Sequence, residues 1–136
     1  MEWGQLEIAE LEDTGDARGR SFGSVGGPLA AGFAVRDAHL ATIRPGCVRG
    51  NHFHKGKDEV LLVLHADAFS VHWDTGEGTP ARHHQVTGAG AVMITVGPGA
   101  SHAIRNDGAA DLYLVGLGDQ PYDPAAPDVI AREVVG

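Results

Sequence analysis

The feature that most constrains the fold of this chain is the near absence of helical periodicity. No window of about ten residues places apolar side chains at the three-to-four spacing of an amphipathic helix. Short runs instead alternate or are rich in β-branched residues, and turns such as Gly97-Pro98-Gly99 and Asn106-Asp107-Gly108 separate them. Because many short strands at regular spacing are typical of a sandwich or barrel, the sequence predicts an all-β fold.

The candidate strands lie between these turns and form one domain. They are Gln5–Leu11, Ala31–Arg36, His39–Arg44, Val48–His54, Glu59–His65, Ala68–Trp73, Ala81–Thr87, Ala91–Val96, His102–Arg105, Asp111–Leu117 and Val129–Val134. With 136 residues, 43% of them hydrophobic, the chain has enough apolar surface for one core. We expect a single domain over residues 1–136, divided into an N-terminal arm 1–30, a barrel 31–118 and a C-terminal extension 119–136. The Gly-rich segment 15–27 is expected to be a mobile loop or an arm that pairs with a second subunit.

Charge and composition argue against several classes of partner. The formal net charge of -8 disfavours binding to phosphate backbones, so we expect no nucleic-acid partner. No apolar run approaches the ~20 residues of a membrane span, and no Lys/Arg-rich run favours a membrane surface. Cys47 is the single cysteine, which excludes an internal disulfide framework. Because the acidic N-terminus is unlike a signal peptide, we expect a cytoplasmic protein with a small-molecule substrate.

Two histidines and a glutamate have spacings that suit a metal site. Side chains at positions i and i+2 of a strand point to the same face, so His52 and His54 project together. Residues 55–58 form a natural turn, which would bring Glu59 back beside them on the next strand. Glu59 begins an almost wholly apolar run, and a buried carboxylate needs a partner. A cation held by the two imidazoles would supply that partner.

A third histidine, His102, follows a Gly/Pro turn at the start of another predicted strand. Three imidazoles and one carboxylate suit Zn, Fe, Mn, Ni or Co. Four protein ligands leave one or two positions open on a five- or six-coordinate ion, as a catalytic metal requires. We therefore expect one divalent metal ion as cofactor, with zinc as the first choice.

Both stretches resemble the sequence motifs of the cupin superfamily. The first is similar to G(X)5HXH(X)3-4E(X)6G, and its matching positions are Gly46, His52, His54 and Glu59, with Ala66 in place of the last glycine. The second is similar to G(X)5PXG(X)2H(X)3N, and its matching positions are Gly99, His102 and Asn106. Gly90 lies one residue out of register with the leading glycine, which predicts a bulge in that strand. The resemblance implies a small single-domain cupin: a double-stranded β-helix, or jelly-roll-like barrel, often homodimeric, with the ion near its centre.

A finer resemblance concerns the segment Arg49–Lys55. With Glu59 after it, this segment resembles the RG-x-H-x-H-K segment of cupins that act on nucleotide sugars. These include 3,4-ketoisomerases and the C-terminal cupin domain of capsular-polysaccharide reductase/epimerase enzymes, whose end the tail 120–128 also resembles. The paired histidines of the ketoisomerases resemble a metal-free acid/base pair. Since Glu59 and His102 complete a metal set here, the metal-binding relatives fit better.

Four further residues are candidates for catalysis or substrate binding. His65 has the parity of Glu59 and Tyr113 follows the second motif, so either could transfer a proton. A polar strand end for His65, and a rim or dimer contact for Tyr113, are the alternatives. Arg49 and Lys55 could hold a phosphate or carboxylate near the barrel mouth, or could be solvated cations.

These residues favour an enzyme that acts on a small carbonyl-containing substrate by metal-assisted proton transfer. Isomerisation or epimerisation of an activated sugar is the leading hypothesis. A polyketide or aromatic cyclase would need the same metal in a larger and more apolar cavity. An Fe- or Ni-dependent dioxygenase and a non-catalytic metabolite-binding cupin are the remaining alternatives.

Overall fold

The computed structural model describes residues 1–23 and 25–136 and confirms the predicted all-β, jelly-roll-like fold. Ten strands form two five-stranded sheets. The strands are β1 (Leu6–Glu10), β2 (Asp37–Ile43), β3 (Val48–Phe53), β4 (Glu59–His65), β5 (Phe69–Trp73), β6 (Arg82–Val86), β7 (Gly90–Val96), β8 (His102–Asn106), β9 (Leu112–Gly118) and β10 (Ile130–Ala131). The described part of the chain contains no helix long and apolar enough to cross a bilayer.

The two sheets are antiparallel throughout and pack face to face. The first has the order β1-β7-β4-β9-β2 and the second the order β10-β3-β8-β5-β6. Among the described residues, the named strands pair within their own sheet, so the molecule is a jelly-roll-like sandwich and not a continuously hydrogen-bonded barrel. Strand β1 of the expected N-terminal arm is part of the first sheet, because it pairs with β7 from Leu6 opposite Val96 to Glu10 opposite Val92.

The core lies between the two sheets and comes from one face of each. Its fully buried side chains include Phe69, Ile43, Ile94, Leu112 and Val71. Burial of each such side chain contributes roughly 1.5–3 kcal/mol. The strict alternation along β9, where Leu112 and Leu114 are buried and Tyr113 is exposed, fixes which residues of that strand face inward.

One predicted strand is wrong. Residues 31–36 are not a strand but follow a turn, in which the amide of Ala31 donates to the carbonyl of Gly27 (3.0 Å) and that of Phe33 donates to Pro28 (2.9 Å). Gly27 adopts a positive φ of 62°, and Pro28 has a fixed φ that suits a turn. The next strand therefore starts at Asp37. The Gly-rich segment 15–27 includes Ser24, which lies outside the described residues.

The bulge predicted near Gly90 is also misplaced. Strand β7 pairs with β4 in regular register from Glu59 opposite Val96 to His65 opposite Gly90. The irregularity occurs instead in β3, between Gly50 and His52, where the register with β8 shifts. It falls within the histidine motif itself.

Candidate metal centre

The structure brings the four predicted ligands together at one end of the sandwich. One ligand atom from each of His52, His54, Glu59 and His102 lies within 4.8 Å of the others. Oε1 of Glu59 is 2.8 Å from Nε2 of His54 and 3.2 Å from Nε2 of His102. The ring centroid of His52 is 5.0 Å from that of His102. We call these residues the four-residue cluster.

The bulge in β3 shapes the histidine motif. Asn51 adopts a left-handed conformation with φ 57°, which is uncommon outside glycine but most accessible to Asn and Asp. Gly50 has φ 114°, and a Cβ there would lie 2.4 Å from the carbonyl oxygen of His102. The absence of a side chain at Gly50 therefore lets β3 approach β8 closely enough to set His52 directly opposite His102.

Backbone carbonyls fix the orientation of two of the imidazoles. Nδ1 of His102 donates to the carbonyl of Ala100 at 3.0 Å, and Nδ1 of His54 donates to the carbonyl of Asp128. A carbonyl can only accept, so Nδ1 carries the proton in both rings. Nε2 of each ring therefore faces Glu59. Metal-binding histidines usually have this arrangement, in which one ring nitrogen donates to a carbonyl and the other faces the metal. The donor set thus fits a divalent ion.

Burial and neighbouring charges shift the pKa values within the cluster. Burial, together with the charges of His102 and His54, lowers the pKa of His52 to about 4. Burial also acts to lower the pKa of His54, but the hydrogen bond and charge of Glu59 raise it overall. For Glu59, burial acts to raise the pKa, yet hydrogen bonds from His102 and His54 hold it well below its usual range. The cluster thus presents an ionised carboxylate, and a divalent ion would take the place of the Nε2 proton of His54 that Glu59 accepts.

Asp128 of the C-terminal extension supports the loop between two of these residues. Its carboxylate accepts hydrogen bonds from the amides of Lys55 (2.7 Å), Gly56 (2.9 Å) and Lys57 (3.2 Å). Its own carbonyl binds Nδ1 of His54. One residue thereby orients an imidazole and closes the turn that leads to Glu59.

Replacing Asp128 by alanine is expected to weaken both folding and metal binding. Loss of three hydrogen bonds to a carboxylate should cost about 1.5–3 kcal/mol of unfolding free energy. The hydrogen bond between Nδ1 of His54 and the carbonyl of residue 128 should also become less well fixed, which should lower metal affinity by about tenfold. Urea denaturation and metal titration measure the two effects. Asp123→Ala is the matched control, because Asp123 is exposed in the same tail and its side chain caps Ala125. Equal values for the two variants would contradict the role of Asp128.

A cavity of about 680 Å³ opens in front of the four-residue cluster. Its polar lining includes residues that were not predicted from the sequence: Asp37, His39, Lys57 and Tyr122. Lys57 shares the parity of Glu59, and its Nζ lies 3.8 Å from carboxylate oxygens of both Glu59 and Asp37. This shared parity could have indicated from the sequence that Lys57 lies near the cluster. Lys57 precedes the strand, however, and was assigned to a turn. Tyr122 comes from the tail, which no local pattern places near the cluster.

The two predicted substrate-binding cations lie in different surroundings. Arg49 lines the cavity, and its Nε donates to the carbonyl of Thr42 at 2.8 Å. This bond uses Nε and does not involve the two terminal guanidinium nitrogens. Lys55 is exposed, and its backbone amide is bound by Asp128. Lys57, two residues further on, is the lysine that lines the cavity.

The two predicted proton-transfer residues lie away from the cluster. His65 is buried on the inner face, but it lies six positions after Glu59 on strand β4, about 20 Å away. Its Nδ1 donates to Gly88 at 2.7 Å, and its ring packs on Phe69. Tyr113 is 56% exposed on the outer face of the first sheet, where it lines a separate groove. The structure therefore does not bring either residue to the four-residue cluster.

Comparison with known proteins gives one family and several similar folds. The family model of the polysaccharide biosynthesis C-terminal domain matches residues 15–130. Among curated proteins, none matches the chain. Solved structures include the capsular polysaccharide assembling protein CapF from Staphylococcus aureus, with 22% identity and a TM-score of 0.66, covering 91% of this chain and 34% of that one. This chain thus spans about a third of the length of CapF.

Two enzymes of sugar metabolism have similar folds. The sugar 3,4-ketoisomerase QdtA from Thermoanaerobacterium thermosaccharolyticum, solved with TDP, is 18% identical with a TM-score of 0.68, and the match covers 92% of this chain and 86% of QdtA. The 4-keto-6-deoxy sugar epimerase NovW from Streptomyces spheroides is 21% identical with a TM-score of 0.69, and the match covers 88% of this chain and 66% of NovW. At these identities the likeness establishes the fold.

Proposed function

This chain belongs to the polysaccharide biosynthesis C-terminal domain family, and from that premise we propose that it is a metal-dependent isomerase or epimerase of a nucleotide-linked keto sugar. The metal is one divalent ion, with zinc as the first choice. It is held by the four-residue cluster. The observation that carries the proposal is the convergence of four ligand atoms within 4.8 Å in the wall of a cavity of about 680 Å³.

The donor set suits chemistry next to a carbonyl group. When bound, a divalent ion at this position would act as a Lewis acid toward a substrate oxygen. Lys57 places a fixed positive charge beside the cluster, where it would stabilise negative charge that develops on the same oxygen. Arg49 lines the cavity, and its terminal guanidinium nitrogens, which hydrogen-bond to none of the described residues, would bind a phosphate group. These groups together favour an anionic, oxygen-rich substrate.

The similar structures support a keto-sugar substrate. QdtA has also been solved with TDP-4-keto-6-deoxyglucose, and NovW is an epimerase of a 4-keto-6-deoxy sugar. CapF assembles capsular polysaccharide. Substrates of this kind carry an acidic hydrogen beside a carbonyl and a diphosphate, which correspond to the two chemical features of the cavity. We therefore propose a nucleotide-linked 4-keto sugar as the substrate class.

The lining of the cavity favours this substrate class over the alternatives. The apolar part of the lining, which includes Leu61, Ile104 and Leu114, would also suit an aromatic polyketide. Asp37, His39 and Lys57 offer the hydrogen bonds and charge that a carbohydrate requires, and these favour the sugar. A dioxygenase would use the same ligands with Fe or Ni. A purely binding role predicts no turnover in the metal-loaded protein.

Exchange of hydrogen with solvent is the direct test of the proposed function. The purified chain is loaded with zinc and incubated in D₂O with TDP-4-keto-6-deoxyglucose, and proton NMR follows the hydrogens beside the carbonyl. We expect these hydrogens to be replaced by deuterium in the metal-loaded protein and to be retained after chelation. Retention in both samples would overturn the proposal. Oxygen consumption without exchange in an Fe- or Ni-loaded sample would assign the dioxygenase reaction instead.

A further inference from the structure

We infer that His39, on strand β2 of the sheet that also carries Glu59, is the residue that accepts and returns the proton. The inference rests on the proposed function and names a catalytic residue for it. His39 was not among the candidates from the sequence. Of the described residues that line the cavity, it supplies the imidazole outside the cluster.

The position of His39 on β2 directs its side chain inward. Residues at alternate positions of a strand share a face, and Ile43 and Ala41 of β2 contribute to the core. His39 continues this face toward the open end, and Leu40 between them is 81% exposed on the other side. The imidazole of His39 thus reaches the cavity while it stays accessible to solvent.

A glycine of the neighbouring strand makes room for this imidazole. Gly116 of β9 is the direct cross-strand partner of His39. A Cβ at Gly116 would lie 2.4 Å from Cε1 of His39 and 3.0 Å from each ring nitrogen. The ring therefore lies flat against the backbone of β9, a position that a side chain at residue 116 would deny it.

Gly118, the next glycine on the same face of β9, makes room for the side chain of Lys57 in the same way. A Cβ at Gly118 would lie 2.4 Å from Cε of Lys57. His39 from β2 and Lys57 from the β4 side thus both lie across β9, toward each other. Because both glycines lack side chains, the imidazole of His39 and the ammonium group of Lys57 can lie against the same face of β9 and line the cavity together.

The strand register gives the spacing between His39 and the cluster. Gly116 pairs with His39 on one side and with Leu61 on the other, and Glu59 pairs with Gly118. His39 and Glu59 thus lie on strands separated by β9 and are offset by two residues along them, so their Cα atoms are about 12 Å apart. A substrate oxygen directed at the cluster would leave the adjacent carbon facing His39.

The step assigned to His39 is a single reversible proton transfer. The neutral imidazole accepts the proton from the carbon beside the substrate carbonyl as that C–H bond breaks. The electron pair forms a C=C bond, and the negative charge moves to the carbonyl oxygen near Lys57. For isomerisation, the imidazolium gives a proton to the former carbonyl carbon and becomes neutral again, while the hydroxyl proton of the neighbouring carbon passes to the former carbonyl oxygen. The carbonyl group thus moves by one carbon, and no oxidant or reductant is consumed. Exchange of the imidazolium proton with solvent gives the deuterium label.

The test compares His39→Gln with the unaltered chain and with His83→Gln, all zinc-loaded. His83 is the matched control, because it lies in β6 and stacks on His72. Three quantities are measured: the rate of deuterium incorporation into TDP-4-keto-6-deoxyglucose, the dissociation constant of that substrate, and the zinc content. We expect His39→Gln to exchange about 10²–10⁴-fold more slowly, with zinc content and substrate affinity close to those of the unaltered chain.

A second variant tests the placement of the ring. Gly116→Ala is expected to slow exchange while zinc remains bound, because the added methyl group displaces the imidazole.

The outcomes separate the two proposals. No exchange in the unaltered chain overturns the proposed function, and the role of His39 with it. Exchange at the unaltered rate in His39→Gln overturns the role of His39 alone. Loss of zinc or of substrate binding in His39→Gln would assign a structural role and would equally overturn the inference.

Discussion

Replacing His102 by alanine is expected to lower the affinity of the protein for zinc by about 100-fold or more. The ring supplies one of four ligand atoms that lie within 4.8 Å of one another, and its Nδ1 is already held by the carbonyl of Ala100. Loss of supporting contacts alone typically costs 10–100-fold in metal affinity, so loss of a ligand should cost at least the upper value. Titration against a competing chelator measures the change.

The same substitution should also destabilise the metal-free protein, but only moderately. Glu59 is buried and would lose one imidazole partner, yet His54 at 2.8 Å and Lys57 at 3.8 Å remain. A cost of about 1–3 kcal/mol is expected for the lost hydrogen bond. His83→Ala, in which the substituted histidine lies outside the cluster, should keep zinc affinity. Undiminished affinity in His102→Ala would remove residue 102 from the metal site.

Replacing Phe69 by alanine is expected to destabilise the fold by about 3–5 kcal/mol. Phe69 is fully buried in β5 and belongs to the core between the two sheets. Its ring also packs against His65, with centroids 5.1 Å apart. The sandwich has little means to collapse around the resulting cavity, because strands β6 and β8 hold β5 on both sides. Unfolding in guanidinium chloride gives the free energy of unfolding.

Leu40→Ala is the control for this loss of core packing. Leu40 is 81% exposed on β2, so the substitution should change the free energy of unfolding by no more than about 0.5 kcal/mol. Comparable losses in the two variants would mean that the inner and outer faces of the sheets are assigned wrongly. Comparable losses would also undermine the inward placement of His39, because His39 and Leu40 are adjacent and face opposite sides.

The cluster could be predicted because its spacing is local. His52 and His54 alternate on one strand, Glu59 starts the next, and His102 follows a Gly/Pro turn. Strand period and turn chemistry fix these relations without knowledge of the tertiary structure. Likewise, most predicted strands begin and end within one or two residues of the observed bounds. One exception, residues 31–36, has the composition of a strand but follows a Gly/Pro turn. The other is the predicted strand Val129–Val134, of which Ile130–Ala131 forms the observed strand.

The rest of the site depends on relations that no local pattern contains. Strand β2 holds Asp37, His39, Ala41 and Ile43 on its inner face, but Leu40 is apolar and exposed, so hydrophobic alternation does not identify the inner side. Asp128 binds His54 across 74 positions of the chain. Tyr113 could have been excluded from the sequence, because the apolar residues on either side of it, Leu112 and Leu114, already predict that it faces outward.

The expected homodimer, the division into arm, barrel and extension, and the cytoplasmic location stay predictions. The structure contains one chain, and strand β1 of the expected arm pairs within that chain.

The most direct measurement of the central claim is a crystal structure of the zinc-loaded protein with diffraction recorded on both sides of the zinc absorption edge. We predict one anomalous peak per chain, about 2.0–2.2 Å from a ring nitrogen of each of the three histidines and from a carboxylate oxygen of Glu59. A peak elsewhere, or zinc-free density among these four side chains, would contradict the account.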